Sequence, residues 1–176
     1  MTNHAPLIFN MPKSDQGITL NRYMLIPRVL IFVKRTNLYL LMKGAPGKRL
    51  WANKYNGIGG HVESGEDILS AARRELLEET GVTADLWLCG TIVVDTEENP
   101  GVGIYIFTGE YLGGEPEPSP EGQAEWISPS AVSILPIVED LPVLLNRIQN
   151  MRYGDPPFSA RSYYDVKQKL TVEFSN

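Results

Sequence analysis

The sequence has a single cysteine, Cys89, in the run LWLCGTIVV. One thiol cannot close an internal disulfide, so a disulfide scaffold is excluded and a reducing, cytoplasmic setting is expected. Its apolar neighbours make it a core thiol. No apolar run approaches the ~20 residues that a membrane-spanning helix needs, and the first twenty residues lack the basic-then-apolar order of a secretory leader. Positive charge is also in short supply. Sixteen Lys and Arg stand against 21 Asp and Glu, for a formal net charge of −5, which argues against a non-specific binder of nucleic-acid polymers. A small anionic substrate stays open, because a bound cation can reverse the local sign. Internal repeats are absent.

What is present is ordinary for one globular domain. There are 176 residues, 43% apolar and 21% charged. Residues 1–22, with Pro6, Pro12 and Gly17, read as an N-terminal arm, and residues 23–176 as a single domain. MLIPRVLIFVKR and NLYLLMK are strand-like runs that meet at Thr36-Asn37, a hairpin signal with Asn37 at the turn. GAPGKRLWANKYNGIGG is a Gly-rich loop, the kind of segment that carries binding on a rigid scaffold. A helix is predicted over Glu66–Thr80, with Ser64 and Asp67 as a capping-box variant and Gly81 as its C-terminal stop. Two long strands follow around TEENPG, then a Pro/Glu/Gly loop, a strand in AEWI, a short helix opened by Pro142, and two short strands in the tail. Strands and helices in this order imply an α/β (α+β) layered domain around a mixed sheet.

The helix contains an anomaly. On a helical wheel Ile68, Leu69, Ala72 and Leu76 form an apolar stripe, and Glu79 falls inside it. Glu75 lies at the edge of the stripe and Glu78 a little further round. Like charges three and four residues apart repel, the helix C-terminus disfavours carboxylates, and burying one without a partner is costly. A hard divalent cation, Mg²⁺ or Mn²⁺, would offset all three penalties. A solvated acidic face paired with Arg73 and Arg74 is the simpler alternative, but Glu79's place among core residues speaks against it. Arg74 is placed to pair with Glu66 or to orient one of the carboxylate ligands.

From Gly60 the chain reads Gly, five residues, Glu66, seven residues, Arg74-Glu75-Leu76, one residue, Glu78-Glu79, one residue, Gly81-Val82. This resembles the Nudix box, with every fixed position filled over residues 60–82. The resemblance implies a Nudix-type α/β/α sandwich with the box as loop–helix–loop, and a hydrolase of nucleoside diphosphates linked to another moiety that uses Mg²⁺ or Mn²⁺. Carried over by position, Glu75, Glu78 and Glu79 would be metal ligands, joined by the carbonyl of Gly59. Glu78, Glu79 and Arg74 would belong to the catalytic machinery. Gly57, Gly59 and Gly60 would let the backbone approach phosphates and metal. PEGQAEW resembles the matching loop of MutT-type 8-oxo-dGTP diphosphatases, which makes Glu121 a further ligand or general base; Glu125, Glu117 and Glu98 compete with it.

KYNGIGG resembles a stretch of the animal oxidised-purine nucleoside triphosphatases, in which the Asn contacts the base. On that likeness Asn56, and the acidic pair Glu139-Asp140, would read a purine; capping of the following helix is the other role open to Asp140. Tyr55 and His61 depart from those enzymes, which have Trp and Lys there. Lys43, Lys48 and Arg49 are candidates for phosphate contact, and Gly60 for substrate binding. The reading is a pyrophosphohydrolase that converts a nucleoside triphosphate, such as 8-oxo-dGTP, to monophosphate and pyrophosphate. A Nudix hydrolase of ADP-ribose or a nucleotide sugar, and a non-catalytic Nudix-fold nucleotide sensor, are its alternatives. The partner is a nucleotide, with no membrane; monomer and homodimer both remain open.

Overall fold

The computed structural model describes residues 12–19, 21–167 and 169–175. Much of the expected N-terminal arm, residues 1–11 and 20, lies outside these; within the rest, Lys13–Gln16 form one short 3-10 turn. The strands are β1 (Leu25–Arg35), β2 (Leu38–Gly44), β3 (Tyr55–Asn56), β4 (Thr83–Val94), β5 (Gly101–Gly113), β6 (Gly122–Ile127), β7 (Phe158–Tyr164) and β8 (Leu170–Phe174). The helices are α1 (Ile68–Thr80) and α2 (Leu141–Ile148), with a 3-10 turn at Pro129–Ile134.

The strands form one mixed, eight-stranded sheet in the order β3-β2-β1-β5-β4-β7-β8, with β6 on the other edge of β2. β1 pairs in parallel with β5 along its whole length but touches β2 only through Val33, Lys34 and Arg35. Beyond that point the two strands splay. The chain from Tyr55 to His61 fills the gap, pairing first with β2 at Met42 and Lys43, then with Ile31 and Arg28 of β1. The Gly-rich loop thereby becomes part of the sheet, and a cleft opens beside it.

Both faces of the centre are covered, so β1 reads as a continuous apolar run and its alternate residues enter different cores. Ile31 and Val33 pack with Leu40 against Ala71, Ala72 and Leu76 of α1. Phe32, with Leu41 and Ile106, packs against Leu141, Leu144, Leu145 and Ile148 of α2. This is the helix–sheet–helix sandwich expected from the resemblance. Cys89 is fully buried, as expected of a core thiol, and sits where the β4–β5 register shifts.

Two local expectations need correction, while the β1–β2 hairpin turns at Thr36-Asn37 as expected, with Thr36 in the left-handed region at φ 59°. α1 starts at Ile68, and its cap is Asp67, whose carboxylate accepts from the backbone N–H groups of Leu69 and Ser70; Ser64 lies outside the cap, so no capping box forms. Asp140 precedes α2 but makes no side-chain cap, so its carboxyl is left to other uses. Gly81 ends α1 in the left-handed region, at φ 71°, as the sequence indicated.

Candidate active site

α1 carries its carboxylates to the splayed end of β1. Leu76 is 1% exposed and Glu79, one turn-step on, is 9% exposed. The Glu75 side chain is 14% exposed and that of Glu78 62%. Helical geometry thus ranks the three as the wheel did: Glu79 inside, Glu75 at the edge, Glu78 outside. Burial, then repulsion from Glu75 and Glu121, pushes the Glu79 carboxyl up to about 7, against the stabilising pull of Lys48 and the Gly59 N–H.

Arg74 gathers this end of the helix. Its guanidinium donates to Glu66 at 2.6 and 3.1 Å, to Glu75 at 2.9 Å, to Glu78 at 3.3 Å and to the His61 carbonyl at 3.1 Å. These bonds, those to Glu66 foremost, hold its pKa above the ordinary arginine value and that of Glu66 below the ordinary glutamate value. The sequence reading placed Arg74 in the catalytic set. Its bonds to Glu66 and to the His61 carbonyl tie the loop to the helix, those to Glu75 and Glu78 stay within α1, and Arg74 itself does not line the cleft.

The cleft holds about 660 Å³, within the range of small-molecule sites. Its lining includes Glu75, Glu79, Glu121, Lys48, Gly59 and Gly60. Lys48 forms an ion pair with Glu121, both side chains partly exposed. Asn56, Glu139 and Asp140 line it too, together with the apolar side chains of Leu30, Ile92 and Ile104. Asn56 Oδ1 accepts from the Gly57 N–H at 2.8 Å. The Asp140 carboxyl is raised above its ordinary value, first by burial and then by Glu139. Of the acids competing with Glu121, Glu125 is engaged by the Tyr55 hydroxyl at 2.8 Å, and Glu117 and Glu98 lie off the cleft. That bond, after burial, raises the Tyr55 phenol to about 12.

The structure moves some expected residues. Lys43 points over the Tyr55 ring, 5.7 Å from its centroid, and does not line the cleft; Lys48 does. Glu78 is also off the cleft wall. The glycines have a further reason beside the one expected. A Cβ at Gly59 would strike the Val29 carbonyl, one at Gly60 the Glu75 carboxylate, and one at Gly57 the Leu30 side chain. Their smallness lets the loop lie against β1 and α1, not only against a ligand. The sequence reading missed Arg28, Trp51, Ser162, Tyr164 and Leu170, all of which line the cleft. No local signal marks the last three, since only the β4–β7 pairing brings the tail there.

Whether the donors suit a divalent cation can be judged from their chemistry. All are oxygens, the class that Mg²⁺ and Mn²⁺ prefer. The Gly59 carbonyl takes no hydrogen bond among the described residues, whereas its neighbours Ile58 and Gly60 accept from Ile31 and Val29. Among the described residues no three acids converge closely enough to enclose an ion as their side chains stand. Glu75 is turned to Arg74 and Glu121 to Lys48. The repulsion that Glu79 feels from both nonetheless shows that the three carboxylates stand near one another on one cleft lining, an all-oxygen donor set of the class that suits a divalent cation.

The NUDIX domain family model matches residues 24–148. Two oxidized purine nucleoside triphosphate hydrolases, from Danio rerio and Mus musculus, are 40% and 34% identical to the chain over 88 residues. In each case the match covers 49% of this chain and 56% of the relative, so the chain spans little more than half the length of these curated relatives. The crystal structure of a MutT protein from Bacillus halodurans superposes with a TM-score of 0.70 at 22% identity, covering 85% of this chain and 97% of that one. A NUDIX hydrolase from Nitrosomonas europaea gives 0.67 at 18% identity, covering 84% of each. At these identities the structural likeness speaks for the fold.

Proposed function

Because the chain belongs to the NUDIX domain family, we propose that it is a divalent-metal-dependent pyrophosphohydrolase. It acts on a nucleoside triphosphate, with oxidised purine nucleotides as the substrate class, and releases the monophosphate and pyrophosphate. The observation that carries this reading is the buried Glu79, coupled to Glu75 and Glu121 on the wall of a cleft that Asn56, Glu139 and Asp140 also line. The names of the relatives from Danio rerio and Mus musculus support the substrate class.

Glu75, Glu79, Glu121 and the Gly59 carbonyl would hold the cation, with Glu78 reachable from the same helix turn. When bound, Mg²⁺ or Mn²⁺ supplies Lewis-acid neutralisation of the phosphates and a lowered pKa for the attacking water. The chain's own groups do the rest. Lys48 stands at the cleft mouth beside Glu121, where its ammonium can pass from that carboxylate to a phosphate oxygen of the substrate. The Glu121 carboxylate so released can take the proton of the attacking water. Arg74 keeps Glu75 and the His61 carbonyl in register throughout. Asn56 offers a donor and an acceptor to a base edge, and Asp140, whose carboxyl burial raises above its ordinary value, stands on the same cleft lining as a further polar group for the base.

A substrate panel tests the reading: 8-oxo-dGTP, dGTP, dCTP, ADP-ribose, dinucleoside polyphosphates and coenzyme A, each with Mg²⁺ and with Mn²⁺. The highest kcat/KM is expected for the oxidised purine triphosphate. A preference for ADP-ribose would move the substrate class, and no turnover of any compound would leave a nucleotide-binding module.

A further inference from the structure

Ser162, on β7, lies beyond the residues that the family model matches, and the mechanism above leaves it without a role. It lines the cleft, is 2% exposed, and its Oγ has no hydrogen-bond partner among the described residues. Its surroundings explain why. Val94 of β4 and Val172 of β8 are its register partners on either side, and Ala160 and Tyr164 share its face along the strand. The cleft wall beside it is aliphatic, built from Ile92, Val94, Val102 and Ile104. Nothing in this wall can accept or donate to the hydroxyl. A buried hydroxyl without a partner is a net cost to the fold, and alanine or valine would pack there without it. Oγ is enclosed as the side chain stands, and a change of χ1 among serine's staggered rotamers is the route by which the hydroxyl would meet a ligand in the cleft.

We propose that Ser162 is a specificity-determining residue for the nucleotide, its hydroxyl hydrogen-bonding a polar edge atom of the bound base. This rests on the function proposed above. Ligand sites of this kind set a few polar groups in a mostly apolar lining, and those few fix which edge is accepted. Asn56 and Asp140 are such groups in the cleft lining, and β7 adds the Ser162 hydroxyl beside the aliphatic wall and that of the half-exposed Tyr164. Because the hydroxyl can donate and accept, it favours one arrangement of edge atoms over another once the other groups have fixed the pose of the base.

The test is calorimetric binding of 8-oxo-dGMP, dGMP and dAMP to the full chain, compared with Ser162→Ala and Ser162→Thr, together with thermal melts of all three proteins without nucleotide. Monophosphates need no turnover, so the readout is independent of catalysis. Ser162→Ala is expected to bind the preferred monophosphate 5- to 10-fold more weakly, to change the affinity ratio among the three by a similar factor, and to melt no lower than the parent. Ser162→Thr, which keeps the hydroxyl, is expected to recover most of the ratio. An unchanged ratio in Ser162→Ala, or a lower melting temperature with all three nucleotides weakened alike, would overturn the inference while leaving the proposed function standing. Failure of the parent chain to bind any purine monophosphate would overturn both.

Discussion

Replacing Glu79 by glutamine separates what its carboxylate costs from what it does. In the unfolded chain the group titrates near the ordinary glutamate value of 4.5, and in the folded, metal-free protein it titrates at about 7. Between these values the folded state keeps a proton that the unfolded state has lost. Stability therefore falls as pH rises from about 4.5, and the full penalty stands above about 7. At about 1.4 kcal/mol per pH unit the penalty comes to about 3 kcal/mol, a large share of a typical domain's stability. Glutamine keeps an acceptor for the Gly59 N–H and carries no charge. In urea unfolding with EDTA present, the variant's advantage over the parent is expected to be below about 1 kcal/mol at pH 5 and to grow by about 2 to 3 kcal/mol by pH 8.5. Adding Mg²⁺ at pH 8.5 should stabilise the parent only and narrow the gap. A stability difference that does not change between pH 5 and pH 8.5, or a parent more stable than the variant at pH 8.5 without metal, would refute the reasoning.

Other substitutions probe the remaining parts. Glu121→Gln removes one of the charges that hold the Glu79 carboxyl up, so the Glu79 titration, followed by carboxyl ¹³C NMR in the metal-free protein, should move downward; kcat should drop about 10²-fold with little change in KM. Arg74→Lys cannot span Glu66, Glu75 and the His61 carbonyl at once. It should raise the Mg²⁺ concentration needed for half-maximal rate about tenfold, and a metal titration of the rate would show it. Leu76→Ala leaves a cavity between α1 and β1 and should cost about 2 to 5 kcal/mol in urea unfolding, with activity lost in proportion to the unfolded fraction.

The box helix was legible because its signals are local. The stripe of Ala72 and Leu76 and the stop at Gly81 lie within one turn or two of what they determine, whereas the cap is Asp67 and not the Ser64–Asp67 box that the spacing suggested. The same periodicity ranked Glu79, Glu75 and Glu78 by depth before any coordinates. Strand order was not legible in this way. Nothing in VLIFV says that β5, 76 residues on, will be its parallel neighbour, or that Tyr55–His61 will wedge between β1 and β2. The place of Lys43 was not legible for a related reason, since alternation along β2 turns it to the Tyr55 ring while Lys48 of the following loop lines the cleft. The glycines of NGIGG have a second reason beside the one their sequence context suggests. Their neighbours are Val29, Leu30 and Glu75, distant in sequence and visible only once the chain is folded.

The central claim is that Glu75, Glu79 and Glu121 form a metal-dependent site for cutting a nucleoside triphosphate between its α- and β-phosphates. ³¹P NMR of the chain incubated with 8-oxo-dGTP and Mg²⁺ tests it most directly, because it reports the bond broken as well as the rate. Nucleoside monophosphate and pyrophosphate should appear together in equal amounts, stop on addition of EDTA, and be absent with Glu79→Gln. Orthophosphate with a nucleoside diphosphate, or cleavage that survives either EDTA or the loss of Glu79, would contradict the account.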